Sequence, residues 1–286
     1  MSIDDSLTIP PSANAESARK QEEIDFHNQR EVDRQHMSHD EFEKRYSNKK
    51  WYAVVEKSRR FTDRWLENHC PNARALDYCC GLGGMSLQLA KAGAFINAID
   101  ISDESVKTTQ ALLSENGYAD QCEAQVMDGE NLEFEDNSFD VIICSGVLHH
   151  LDLNNAYPEL SRVLKPSGKI LCMEALGHNP LINLYRRRTP ALRTAWEVDH
   201  IIKNKDLKFA EQFFGKVKAD YFHFFGIGAV LFRKTPLFNP VLKTLDAIDS
   251  VVLSVPSLRQ MAWQIVFELS QPKRGAKTEQ SSSKAA

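Results

Sequence analysis

The stretch "ALDYCCGLGG", residues Ala75–Gly84, decides how the rest of the chain is interpreted. It begins as an apolar run typical of a buried strand and ends in a glycine-rich turn. Gly81 and Gly83 lack a Cβ atom, so the chain can turn tightly and a ligand can lie against the backbone. Two adjacent cysteines, Cys79 and Cys80, precede these glycines. The stretch is consistent with a ligand-binding turn, a pair of reactive thiols or a buried strand end.

Short apolar runs alternate with helical segments after this turn. Ser102 is a candidate helix cap, and Gly117 is a candidate helix end. Further strands are predicted at "AFINAID", "CEAQVMD", "FDVIICSG" and "GKILCMEAL". This rhythm indicates a doubly wound α/β fold, with a mostly parallel sheet of about seven strands wrapped by helices.

The pattern changes at both ends of the chain. We predict a disordered or flexible segment over 1–38, a helical cap over 39–72 and a ligand-binding core over 73–176. Residues 177–270 are predicted to form substrate-side helical insertions and the last strands, an antiparallel hairpin opened by an inserted helical segment. The polar residues 271–286 are predicted to form a flexible tail.

Composition narrows the classes of partner. The formal charge of −4 argues against a nucleic-acid binder, which usually carries a basic excess. The six cysteines form no regular framework and the N-terminus has no apolar signal segment, so we expect reduced thiols in a cytoplasmic protein. The apolar run 221–232 is too short to span a membrane, although peripheral contact with a membrane surface stays open.

Three acidic residues follow successive predicted strands: Asp77, Asp100 and Asp128. In open parallel sheets, ligands bind beyond the carboxyl ends of the strands. Asp100 can accept hydrogen bonds from both ribose hydroxyls, and Asp128 can accept one from an adenine amine. Asp77 would repel a pyrophosphate but attract a sulfonium or ammonium group, so the residues favour a positively charged nucleoside. A nicotinamide cofactor is the alternative, since a glycine pattern alone is weak evidence.

These motifs resemble those of class I S-adenosylmethionine-dependent methyltransferases. "ALDYCCGLGG" is similar to their first motif, "AIDIS" to the ribose-binding motif, and "VMDGENLEFEDNSFDVIICSGVLHHL" with "LSRVLKPSGKIL" to the later strands. The resemblance covers residues 73–175, and the subgroup it suggests includes quinone, lipid and secondary-metabolite methyltransferases. It implies a Rossmann-like fold, with S-adenosylmethionine as cofactor and no metal. The cofactor-binding residues predicted are Asp77, Tyr78, Cys79, Gly81, Gly83, Asp100, Ile101, Met127, Asp128, Gly129 and Ser145.

The resemblance implies transfer of a methyl group to an O, N or C atom of a small, largely apolar or lipid-like acceptor. His149 and His150 are the catalytic candidates, because they follow the fourth strand on the side where an acceptor would approach. Glu174 is a further candidate of the same kind. A nicotinamide-dependent oxidoreductase and a non-catalytic S-adenosylmethionine-binding protein at a membrane surface remain alternatives.

Two features, the arginine cluster and Cys79, have both a structural and a functional interpretation. Four arginines (Arg186, Arg187, Arg188 and Arg193) are candidates to bind a phosphate or carboxylate, or else form a solvated helix face. Cys79 stands where the family has its first glycine. We expect the cysteine to be tolerated at a negative φ, because Gly81 and Gly83 remain.

Overall fold

A computed structural model of the chain describes residues 13–38, 41, 49–189 and 194–274. Its strands are β1 (Arg74–Tyr78), β2 (Phe95–Asp100), β3 (Cys122–Val126), β4 (Phe139–Ser145), β5 (Leu164–Ala175), β6 (Phe214–Phe222) and β7 (Gln264–Pro272). Its helices are α1 (Ala13–His36), α2 (Lys49–Tyr52), α3 (Glu56–His69), α4 (Gly84–Lys91), α5 (Asp103–Glu115), α6 (Leu153–Val163), α7 (Pro180–Arg187), α8 (Ala195–His200), α9 (Asn204–Ala210) and α10 (Phe238–Val252).

The strands form one sheet in the order β3-β2-β1-β4-β5-β7-β6. The first five are parallel, and β7 runs antiparallel to both β5 and β6. The predicted fold class is thus confirmed, including the hairpin of β6 and β7 that α10 interrupts. The strand order reverses between β1 and β4, which is where ligands bind in open α/β sheets.

Alternate residues of β1 pack into different cores, one on each face of the sheet. Leu76 and Tyr78 pack with Tyr157 of α6, whereas Ala75 packs with Trp65 of α3 and other residues of the opposite face. Because both faces are covered, the central strands are continuous apolar runs. This burial holds the strand ends in fixed positions.

The prediction that residues 1–38 are flexible is wrong over Ala13–His36, which form α1. The charged residues of α1 are held in place because they pair with groups elsewhere in the chain, so polar composition did not indicate disorder here. β7 also runs to Pro272, two residues into the predicted tail. Residues 1–12, most of 39–48 and 275–286 lie outside the described residues. Within the described ranges, no helix is long and apolar enough to cross a membrane.

Candidate functional site

A buried carboxyl group lies at the start of the glycine turn. Asp77 of β1 is 1% exposed and accepts a hydrogen bond from the Ser86 hydroxyl of α4. Burial raises the pKa of Asp77 to about 7, although the Ser86 hydrogen bond acts in the opposite direction. A cation beside this carboxyl group would favour its ionised form. The structure therefore provides a group near the turn that responds to the charge of a bound molecule.

Asp100 ends β2 on the other side of the turn. One oxygen of Asp100 accepts a hydrogen bond from the Gly81 N–H at 2.9 Å, and the other accepts one from the Ser102 N–H, also at 2.9 Å. Burial raises the pKa of Asp100, while these backbone N–H groups lower it. Ile101 joins Asp100 to Ser102, whose side chain caps α5 as predicted. The structure thus brings Asp77, Gly81 and Asp100 together.

The two glycines of the turn have different roles. Both have positive φ, 53° at Gly81 and 74° at Gly83. A Cβ atom added at Gly81 would meet no atom within 4 Å, whereas one at Gly83 would lie 2.9 Å from Thr109 of α5. Gly81 therefore leaves open space beside the turn, and Gly83 allows α5 to approach closely.

Cys79 does not have the negative φ that we expected. Its φ is +59°, in the left-handed region that favours glycine. The hydrogen bond from the Cys80 N–H to the Ile99 carbonyl, 2.7 Å long, ties this turn to β2. Burial raises the pKa of both the Cys79 and the Cys80 thiol, so the two cysteines stay protonated. These properties support packing rather than reactivity.

The effect of a substitution at Cys79 on the free energy of unfolding is expected to depend on the groups attached to the β-carbon. Cys79→Gly should change the free energy of unfolding by less than about 1 kcal/mol, because relief of left-handed strain offsets lost packing and a more flexible unfolded chain. Cys79→Val should destabilise by about 2 kcal/mol or more, since a β-branched residue is poorly suited to this φ. Denaturant unfolding measures both, with Cys80→Val as the matched control. An equal cost at both cysteines would contradict the assigned strain.

The remaining predicted cofactor residues surround these two strand ends. Tyr78 is fully buried and its hydroxyl donates to the Gly129 carbonyl at 2.6 Å, so it anchors the loop after β3. The Met127 N–H donates to the Asp100 carbonyl at 2.9 Å. Ser145 ends β4 and is exposed at the side of a large cavity. Tyr78 and Gly129 therefore support the loop, while Ser145 contacts the cavity.

Helix α1 lies across the loops that follow β3 and β4. Arg19 forms an ion pair with Glu130 at 2.6 Å and donates to the His150 carbonyl at 2.9 Å. Lys20 bonds to one oxygen of Asp128 at 2.7 Å, and the other oxygen accepts from the Glu130 N–H. An adenine amine at Asp128 would therefore share that carboxylate with Lys20.

His149 is held by a buried glutamate. Its Nδ1 donates to the Glu174 carboxylate at 2.7 Å, and the other oxygen of Glu174 accepts from the Val147 and Leu148 N–H groups at 2.8 Å each. Glu174 is 3% exposed. This arrangement fixes the ring and leaves Nε2 as its remaining nitrogen, 3.8 Å from Glu197. A histidine oriented in this way has the geometry of a general base.

His150 contacts two residues of α1. Its Nδ1 donates to Glu23 at 3.0 Å, and Glu23 lies 3.7 Å from His27. Burial lowers the pKa of His27 to about 4, and the neighbouring His150 adds to this shift. Two groups of possible metal ligands, each with donor atoms within 4.8 Å of one another, share His150: Glu23 with His27, and His149 with Glu197. The expectation that no metal is used stays a prediction.

A cavity of about 1270 Å³ lies beyond β4 and β5. His149, His150 and Glu174 form part of its wall. Aromatic side chains supply much of the remainder: Phe26, Trp51, Tyr52, Tyr185, Phe224 and Trp263. Arg186 of the predicted arginine cluster is buried and lines the cavity, donating to Asn183 at 2.9 Å. Arg187 and Arg188 are exposed, and Arg193 lies outside the described residues.

The segment from β1 to β5 matches a known family, because residues 76–172 fit the model described as a methyltransferase domain. Residues 76–172 are thus similar to methyltransferase domains. The chain is 33% identical over 127 residues to the ubiquinone/menaquinone biosynthesis C-methyltransferase UbiE of Geotalea daltonii. It is 30% identical over 109 residues to the sterol 4-C-methyltransferase strm-1 of Caenorhabditis elegans. These matches cover 43% and 38% of the chain, and 54% and 33% of the relatives' own lengths.

A solved structure extends the comparison of the fold beyond the methyltransferase domain. The geranyl diphosphate C-methyltransferase of Streptomyces coelicolor, crystallised with Mg²⁺, geranyl diphosphate and S-adenosyl-L-homocysteine, aligns with a TM-score of 0.53 at 14% identity. The alignment covers 78% of this chain and 83% of that one. At this identity the likeness establishes the shared fold.

Three residues of α1, outside the matched segment 76–172, were not predicted from the sequence as site residues. Glu23, His27 and Arg30 of α1 all lie at the cavity or contact a residue of its wall. Their spacing of four and three residues places them on one face of a helix, which was the available signal. The polar composition of residues 1–38 concealed it.

Proposed function

We propose that this protein is an S-adenosylmethionine-dependent methyltransferase that acts on an O, N or C atom of a small, largely apolar metabolite or lipid-like acceptor. The observation that carries the proposal is the pair of buried carboxyl groups, Asp77 and Asp100, on either side of a glycine turn in a matched methyltransferase domain. The relatives named for quinone and sterol methylation support the class of acceptor.

The residues at the turn fit the proposed cofactor. The open space at Gly81 admits a molecule against the backbone, and Asp100 retains lone pairs for ribose hydroxyls. Asp77 supplies negative charge near the cationic end of the molecule. When bound, S-adenosylmethionine supplies a methyl group already activated by its sulfonium charge. The protein then has to align the acceptor and exclude water.

Within this proposal His149 is the general base for a hydroxyl or amine acceptor. Its Nε2 takes a proton from the acceptor, while Glu174 holds Nδ1–H and stabilises the resulting imidazolium. Glu174 keeps the ring fixed because it also accepts two backbone hydrogen bonds. His150 lies beside His149, with ring centroids 4.3 Å apart, and its Nδ1 is bound to Glu23. We therefore assign the base to His149 and a positioning role to His150.

The cavity supports a largely apolar acceptor. Its aromatic side chains provide flat apolar walls close to His149, and its volume of about 1270 Å³ is large enough for an extended molecule. The comparisons give no support to a nicotinamide-dependent oxidoreductase or to a non-catalytic binding protein. Calorimetry with S-adenosylmethionine and NAD, side by side, would distinguish the first of these alternatives.

Peripheral membrane contact and a cytoplasmic location stay predictions. The surface that membrane contact would use contains Leu231, which is 86% exposed, together with Leu237 and Val251. These residues follow the cavity residues Phe224 and Phe225 along the chain.

Labelling tests the proposed activity directly. The full chain is incubated with methyl-labelled S-adenosylmethionine and with soluble or membrane extracts. We expect a labelled small molecule that partitions into organic solvent and is absent when Asp100→Ala is used instead. Tight cofactor binding without a labelled product in any fraction would contradict the enzymatic proposal.

Cofactor binding is expected to strengthen as pH rises. The pKa of Asp77 is about 7 in the free protein, and a sulfonium or ammonium group would lower it. Ionisation of Asp77 therefore favours binding of the cation. The Kd of S-adenosylmethionine should fall about tenfold per pH unit as pH rises towards 7, and level off above it. Calorimetry across this range measures the effect. Asp77→Asn should remove the Asp77 part of the dependence, and an unchanged slope would contradict this assignment.

A further inference from the structure

Arg30 of α1 lines the cavity and forms no hydrogen bond or ion pair with any residue that the structure describes. Its Nε atom is buried and makes no hydrogen bond. Neither a hydrogen bond nor an ion pair involves any atom of its guanidinium group within residues 13–38, 41, 49–189 and 194–274. Burial lowers the pKa of Arg30, and the neighbouring Arg34 adds to this effect. Arg30 is thus a half-buried charged group whose Nε atom is removed from water without a hydrogen-bond acceptor.

The nearby carboxylates contact other groups. Glu31 lies 3.6 Å from the Nε of Arg34, and Glu23 accepts hydrogen bonds from His150 and the Thr194 hydroxyl. Glu197 lies 3.8 Å from the Nε2 of His149. None of these acids forms an ion pair with Arg30. The charges of Glu31 and Glu197 act on Arg30 through space, but none of these three acids accepts a hydrogen bond from its N–H groups.

This arrangement makes the ligand-free protein less stable than it would be with a hydrogen-bond acceptor at Arg30. Guanidinium remains charged at any pH where the protein is folded, so Arg30 cannot lose its proton to escape burial. A buried charge without a hydrogen-bonded partner is destabilising. Its planar N–H groups match the two oxygens of a carboxylate or phosphate. The natural complement of Arg30 is therefore an oxyanion that enters the cavity.

We infer that Arg30 binds an oxyanion carried by the methyl acceptor. This inference rests on the proposed function, since it takes the cavity as the acceptor site. The acceptor then has two recognisable parts, an apolar body against the aromatic wall and a carboxylate or phosphate at Arg30. Arg186, which is buried in the same cavity, adds positive charge without replacing Arg30, because its Nη1 bonds to Asn183 and the Leu176 carbonyl.

Calorimetry with three small probes tests the inference. Benzoate, phenyl phosphate and neutral benzamide are titrated into the full chain with S-adenosylhomocysteine present. We expect at least one anion to bind more tightly than benzamide, and Arg30→Gln to weaken that anion about tenfold or more. If Arg30→Gln weakens benzoate binding more than phenyl phosphate binding, the oxyanion of the acceptor is a carboxylate. The opposite order identifies a phosphate. Arg64→Gln, an exposed arginine outside the cavity wall, is the control with the same charge change.

Thermal unfolding distinguishes a binding role from a structural one. Arg30→Gln should leave Tm of the ligand-free protein unchanged or higher, because it removes an uncompensated charge. A clear fall in Tm, or anion binding that is insensitive to Arg30→Gln, would overturn the inference. Cofactor affinity of the variants is measured separately. Failure of the wild-type chain to bind S-adenosylmethionine would instead contradict the proposed function.

Discussion

Asp100→Ala is expected to weaken S-adenosylmethionine binding about 100-fold or more while the protein stays folded. Two hydrogen bonds from ribose hydroxyls to a charged acceptor contribute about 1.5 kcal/mol each or more, and 100-fold corresponds to about 2.7 kcal/mol. Asp100 also holds the N–H groups of Gly81 and Ser102, so its loss loosens the turn as well. Both effects act in the same direction. Isothermal titration calorimetry measures the change.

A second variant separates the two roles of Asp100. Asp100→Asn keeps one acceptor oxygen and the shape of the side chain, so we expect a smaller loss of affinity than in Asp100→Ala. Asp120→Ala, an exposed aspartate after α5, is the control. Circular dichroism and Tm confirm that each variant is folded. Unchanged affinity in a folded Asp100→Ala protein would remove the ribose assignment.

A large loss of catalytic rate is expected when His149 is replaced. With a hydroxyl acceptor, His149→Gln should lower kcat by about 10² to 10⁴, the usual contribution of a positioned general base. Cofactor affinity should stay close to that of the unchanged protein, because His149 lies at the acceptor cavity rather than at the glycine turn. Single-turnover rates with labelled cofactor, measured once an acceptor is identified, give the chemical step directly.

Glu174→Gln tests whether the glutamate acts through His149. Glutamine has one oxygen, so it cannot accept from His149 Nδ1–H and from the Val147 and Leu148 N–H groups in the same way. We expect a lower kcat and a shifted pH profile, whereas His149→Gln should abolish the titration that belongs to the base. Activity close to that of the unchanged protein in His149→Gln would show that alignment alone is sufficient for methyl transfer.

The central sheet was predictable because its signal is local. Parallel strands buried on both faces appear as apolar runs, and Asp77 and Asp100 mark where two of them end. Glu174 was identified as a candidate for the same reason, since it lies near the end of β5. Its pairing with His149 could not be predicted, because it depends on how β5 lies beside the turn after β4.

The α1 helix and the conformation of Cys79 depend on distant residues. Arg19 and Lys20 are ordered by Glu130 and Asp128, more than 100 positions along the chain, and composition does not report such pairs. Cys79 adopts a positive φ in a turn held by the bond between Cys80 and Ile99 of β2. In both cases tertiary contacts override the local preference of the residues.

Helix α1 contacts both of the proposed ligand sites. In its first half, Lys20 contacts Asp128 beside the proposed nucleoside site, and further along Arg30 lines the cavity proposed for the acceptor. Any displacement of α1 that changes one site therefore changes the other. By thermodynamic reciprocity, the factor by which the cofactor alters acceptor affinity equals the factor by which the acceptor alters cofactor affinity. The helix therefore provides a direct physical link between the two proposed binding equilibria.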